Sequence, residues 1–354
     1  MKFRLSRVVV ASMLAGAGWL SNVGRQGNIP PQTSLLGDLA SVESSTLFCG
    51  ALDAGSSPIN GVVTFTNIGN TQRHLAAILS DGNHTVGADW TVAANSSLTV
   101  RPADYLAKTN ITVRVVIDGG GVTGVIRTTN GPTSSVPCHS NGTNQWSVAG
   151  LRSKNGALAR IVVMNPTSTP SVINVTTWSS NGYLQPTPFQ GLVVPPVGQV
   201  TLNLSNYIVE ATDISVLINS LRGLIVATAL QVNGRNGSLI GGQESLTTTQ
   251  WYPAIPTDYA ENVVLNILNS SSANAEVHVA LDIPGFSISP LSFDVAGGSS
   301  HVTVIPNSRI PSSGLASLKI TSQTALATTV TLTRSGLERV MSPPPLANEL
   351  SWVG

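Results

Sequence analysis

The sequence is poor in the residues that most functions need. Charged residues make up 10% of its 354 residues and the formal net charge is +1, against roughly 25% charged in an average soluble protein. With only four lysines, no basic field is present to gather phosphates, and nucleic-acid binding is excluded as a working class. The five histidines, His74, His84, His139, His278 and His301, stand far apart, and none lies in a metal-binding spacing. No nucleophile elbow, Walker sequence or dinucleotide fingerprint occurs in a strand-to-helix setting. The sparse carboxylates Asp81, Asp89, Asp118, Asp282 and Asp294 sit where strand ends and turns use them, so a glycan hydrolase pair is a remote alternative. The sequence therefore reads as non-enzymatic, with no cofactor and no metal.

What fills the chain instead is Val, Ile, Thr, Leu, Ser, Asn and Gly in short alternating runs. Helical periodicity is nearly absent. Runs at 62–66, 75–80, 97–101, 111–118 and 122–128 are followed by a similar series at 159–164, 172–178, 199–204, 213–218 and 223–231. A third series occupies 262–267, 275–282, 300–305, 316–321 and 325–333. Alternation buries one face of each strand and wets the other. The fold class expected is all-β, with three tandem immunoglobulin-like antiparallel β-sandwiches at 46–145, 146–248 and 249–341. Asn67, Asn165 and Asn269 close the first core run of each copy, and turn chemistry accounts for them.

The two cysteines, Cys49 and Cys138, bracket the first copy and are expected to pair as a disulfide in an exported chain. Export is indicated by Lys2, Arg4 and Arg7 ahead of an apolar run at 8–20, the charged and hydrophobic parts of a secretion signal. Residues 1–20 thus read as a signal peptide cut near Ala15-Gly16-Ala17, or as an uncleaved anchor that alone would touch a membrane. Residues 21–45 read as a linker and 342–354 as a C-terminal tail.

Trp146-Ser147 and Trp251-Tyr252 open the second and third copies. Large aromatics there plug a sandwich core; the sharper alternative is an exposed surface at Trp146, Trp251 and Tyr252 that stacks sugar rings or a partner protein. The bracketing cysteines, Trp251-Tyr252-Pro253, the strand-ending asparagines and Pro284-Gly285 together resemble a family of exported actinobacterial envelope proteins, over residues 49–341. That resemblance implies a row of immunoglobulin-like sandwiches outside the membrane of a Gram-positive cell, with a structural or binding role and no catalytic residues. A cell-wall glycan or an envelope protein is the partner expected of the preferred reading, with carbohydrate recognition or an adhesin-like surface as alternatives.

Overall fold

The computed structural model describes residues 45–54, 57–129, 134–256, 262–283, 288–305, 315–334 and 337–343. The signal or anchor segment, nearly all of the linker, Pro284-Gly285 and most of the tail lie outside them. The first sheet pair is built from β1 (Ser45–Leu52), β2 (Gly61–Asn67), β3 (Arg73–Ser80), β4 (Thr85–Val92), β5 (Ser96–Val100), β6 (Ile111–Ile117), β7 (Val122–Thr128) and β8 (Ser135–Pro137). The second holds β9 (Gln145–Leu151), β10 (Leu158–Met164), β11 (Ser171–Ser179), β12 (Gly182–Leu184), β13 (Leu192–Val194), β14 (Gln199–Asn203), β15 (Ile214–Arg222), β16 (Val226–Asn233) and β17 (Asn236–Gly241). The rest are β18 (Thr247–Pro256), β19 (Asn262–Asn269), β20 (Ala275–Asp282), β21 (Leu291–Val295), β22 (Ser299–Ile305), β23 (Leu315–Arg334) and β24 (Leu337–Met341). No α-helix occurs among the described residues, as the missing helical period requires.

The strands form antiparallel sheets in a sandwich-like arrangement. The first two are ordered β1-β6-β3-β4 and β5-β2-β7-β8, the next two β12-β11-β15-β9 and β14-β10-β16-β17, with β13 also on β11. In the last assembly one half of β23 carries β18 and β20-β21, and the other half carries β19-β22 and β24. Apolar clusters fill the space between facing sheets. One contains Leu47, Phe65, Leu75, Trp90, Val113 and Ile126, a second Trp146, Ile161, Ile173, Val216 and Ile240, a third Tyr252, Leu265, Val277, Leu318 and Val330. An immunoglobulin domain keeps its successive F and G strands in one sheet. Here β6 and β7 lie in different sheets, as do β15 and β16, and β1 or β9 occupies the place beside the former. The sandwich architecture is shared with that fold, and the order of connection is not.

Turn chemistry decides how the sheets are joined. Gly119, Gly120 and Gly121 adopt φ of 78°, 66° and 73° between β6 and β7, and Gly223 adopts 81° between β15 and β16. The corresponding stretch of the third assembly, Ser322-Gln323-Thr324, has no glycine, and the two runs expected at 316–321 and 325–333 are one continuous strand, β23. Asn67, Asn165 and Asn269 are all buried. Each donates to a carbonyl four residues on, Thr71, Thr169 or Ala273, at 2.7–2.8 Å. Their Oδ1 atoms accept from the N–H two residues on, and Nδ2 also reaches the strand opposite at Val92, Val194 or Val295. The Cys49–Cys138 disulfide is formed across a sequence separation of 89 residues, tying β1 to the segment just after β8.

Candidate binding surface at Trp251

The aromatics of the expected surface separate into two core residues and one exposed residue. Trp146 is fully buried; its Nε1 donates to Ile225 O at 2.6 Å, and the His139 ring meets it edge-on at 4.7 Å. Gly242 makes room for it, since a Cβ there would stand 2.5 Å from the indole. Tyr252 is likewise buried, with its hydroxyl 2.8 Å from Thr328 Oγ1. Burial pushes the Tyr252 phenol far above the ordinary tyrosine range, against the smaller lowering effect of the Thr328 bond. Neither ring is available to a ligand, which corrects the expectation for Trp146 and Tyr252. Trp251 points the other way because neighbours on a strand alternate faces. It is 49% exposed, with Lys319 Nζ 5.0 Å from its ring centroid, a cation–π pair.

Registers explain the difference. Trp146 pairs across to Ile218, whereas Gln250, not Trp251, pairs across to Ile320. Gln250 Nε2 donates to Leu326 O at 2.6 Å, the counterpart of the Trp146 bond. Beyond this point β1, β9 and β18 each carry a bulge. Gly50-Ala51 lie opposite Thr112, Ala149-Gly150 opposite Ser215, and Pro253-Ala254 opposite Ser317, two residues facing one.

Around Trp251 the outer face of β18, β23, β20 and β21 carries Lys319, Glu276, His278 and Ser292. His278 Nδ1 is 2.8 Å from Ser292 Oγ and its Nε2 is 3.5 Å from Glu276. The buried carboxylate among the described residues, Asp53, bonds Arg160 Nη2 at 3.1 Å, the Asn110 N–H at 2.7 Å and the Ser57 hydroxyl at 3.0 Å, so its charge is satisfied structurally. A cleft lined by Phe48, Ile78, Arg114, Met164, Val197 and Gln199 encloses about 20 Å³, room for about one water. No cluster of three metal-ligating side chains occurs among the described residues, nor does any helix there have the length and apolarity to cross a membrane.

The profile of a family described as "Family of unknown function (DUF5719)" matches residues 131–344, more than half of the chain. The chain belongs to this family. No curated protein matches it. The DUF5719 stretch takes in Trp146, Trp251, Tyr252, the third apolar cluster, all of the second but Phe48, and Cys138, but leaves Cys49 and most of the first sheet pair outside. In this DUF5719 member two features escape a reading of strand alternation: the bulges, and the closeness with which the first two are covered. Their visible trace is a pair of small residues, Gly50-Ala51 and Ala149-Gly150, inside otherwise bulky strands.

Proposed function

We propose that this chain is an exported, non-enzymatic protein of the cell envelope, built from three tandem copies of one immunoglobulin-like sandwich, with a structural or binding role. The observation that carries this reading is the Cys49–Cys138 bond, since such bonds persist in oxidising compartments and are rare in the cytosol. The tandem reading is supported by the recurring strand order and by the matched bonds of Asn67, Asn165 and Asn269. The actinobacterial resemblance supports the envelope of a Gram-positive cell as the location. A surface low in charge and rich in hydroxyls suits a protein that packs beside other molecules.

The test is fractionation of the native cell after alkylation of free thiols. Recovery in the envelope or medium fraction, with Cys49 and Cys138 unalkylated, is the expected result. A cytosolic pool with both cysteines alkylated would sink the proposal.

A further inference from the structure

The two junctions within the chain are built alike, and each leaves a counterpart at one end of the molecule. At the first junction Phe48, on β1, is 5% exposed, and a Cβ on Gly50 would fall 2.0 Å from Thr228 Oγ1 on β16. Thr112 Oγ1, opposite that bulge, bonds Gln199 Oε1 on β14. At the second junction Ser147 is buried in the place of Phe48, Thr329 Oγ1 donates to Ala149 O at 3.0 Å, and Ser215 Oγ is 3.0 Å from Ser300 Oγ on β22. Registers make Gln199 and Ser300 equivalent, across from Met164 and Leu268, the residues just before Asn165 and Asn269, and Thr228 and Thr329 equivalent across from Val162 and Asn266. So the bulge of one sheet pair always docks on the outer face of the next pair's second sheet.

At the C-terminal end the same bulge, Pro253-Ala254, has Trp251 in the place of Phe48 and Ser147, and Ser317 in the place of Thr112 and Ser215. At the N-terminal end the docking face is the outer side of β5-β2-β7. There Val125 stands where Thr228 and Thr329 do, across from Thr64, and Ser97 stands where Gln199 and Ser300 do. Thr228 and Thr329 are 1% exposed, whereas Val125 is 40% exposed. Both halves of the junction are thus present and uncovered at opposite ends of the described chain.

We propose that copies of this chain associate head to tail, the Trp251 bulge of one molecule seated on the Val125 face of the next. This inference rests on the tandem reading above. Pro253 stands in the place of Gly50, and the Trp251 indole, in the place of Phe48, supplies the apolar body at this end. Because the two surfaces differ, the contact is heterologous, and each added molecule leaves one bulge and one face free for the next. Within the chain the junctions form at an effective concentration in the ~mM range; between chains they form only as protein concentration rises.

Sedimentation velocity on the full exported chain, from ~1 μM to ~1 mM, spans that range. Growth from monomer to progressively longer, elongated species is expected. Val125→Asp and Trp251→Asp, both at exposed positions, should each stay monomeric with unchanged thermal unfolding. An equimolar mixture of the two variants should form dimers and stop there, because one intact bulge and one intact face remain. A wild type that is monomeric throughout overturns the inference, as do variants that associate like wild type or a mixture that does not dimerise. Retention on purified peptidoglycan by a chain that remains monomeric would assign Trp251 to a saccharide and also overturn it. None of these results bears on the fractionation test, so the envelope reading stands or falls separately.

Discussion

Trp146 and Gln250 do one job in two sandwiches: each donates a side-chain N–H to an equivalent carbonyl, Ile225 O just before β16 or Leu326 O within β23, at 2.6 Å. The indole adds a large buried apolar body, and the amide adds bonds to Thr328 and Gln243. Trp146→Ala should therefore cost about 3–5 kcal/mol through the cavity it leaves, and Gln250→Ala about 1–3 kcal/mol through polar groups left unpaired. Trp251→Ala should change stability by no more than about 0.5 kcal/mol. Urea unfolding of the three variants checks the order; a Trp251 variant as damaged as the Trp146 one would refute the register.

The asparagines at 67, 165 and 269 hold turns from within the core. Replacing Asn269 by Ala strips partners from the carbonyls of Ala273, Val295 and Ala296 and from the Ser271 N–H. The loss should be on the order of 2–3 kcal/mol. Asn269→Asp should be worse at neutral pH, where a carboxylate faces those carbonyls, and partly relieved in acid once it is protonated. A midpoint that is the same at both pH values would contradict this.

Much of the architecture was legible because alternation and turn residues act locally. The expected runs fall on β2, β10, β19 and their partners, some overrunning a strand end by one to three residues, and the cysteines and asparagines stand as read. The core-plug reading fails at Trp251 for a physical reason: in Gln250-Trp251-Tyr252 either aromatic can point inward, and a one-residue slip exchanges the faces. What settles the choice is the Leu326 carbonyl, 76 residues away. The edge strand β4 was missed because Thr85–Val92 is interrupted by Gly87 and Asp89, residues that strands disfavour. The junctions were invisible for the same reason as the Leu326 bond, since Gly50 owes its identity to Thr228 in another sheet pair.

The disulfide joins buried atoms, for Cys49 and Cys138 lie inside the first apolar cluster. Its loop of 89 residues corresponds to about 4 kcal/mol in the chain-entropy account. The double variant Cys49→Ser, Cys138→Ser should lose stability on that scale, measured in urea. Dithiothreitol should reduce the wild type slowly in buffer and rapidly only once it is unfolded; equal rates would mean that the sulfurs are reached without opening the core.

Tyr252 makes stability depend on alkaline pH. Burial raises its folded-state value above the ordinary 10.0, so the neutral phenol is favoured in the native protein. The stabilising contribution is complete below about pH 10 and declines as pH rises beyond it, because only the unfolded chain ionises there. Tyrosinate absorbance should show one of the five tyrosines silent until unfolding, and Tyr252→Phe should remove that step. If all five titrate together in the folded protein, the burial is wrong.

Gly50 and Thr228 supply a test of the junction itself. Three atoms of the Thr228 side chain, Oγ1, Cβ and Cγ2, would lie 2.0, 2.4 and 2.6 Å from a Cβ on Gly50, all inside van der Waals contact. Gly50→Ala must push β16 away from β1, at about 1–3 kcal/mol. These three nearest atoms all belong to one side chain, so Thr228→Gly relieves the conflict while weakening β16 by roughly 0.5–1 kcal/mol as an interior glycine. In a double-mutant cycle the pair should therefore be more stable than the sum of the single losses requires. Additive losses would mean that the two sheets do not meet at this point, and with them would fall the template from which the contact between copies was drawn.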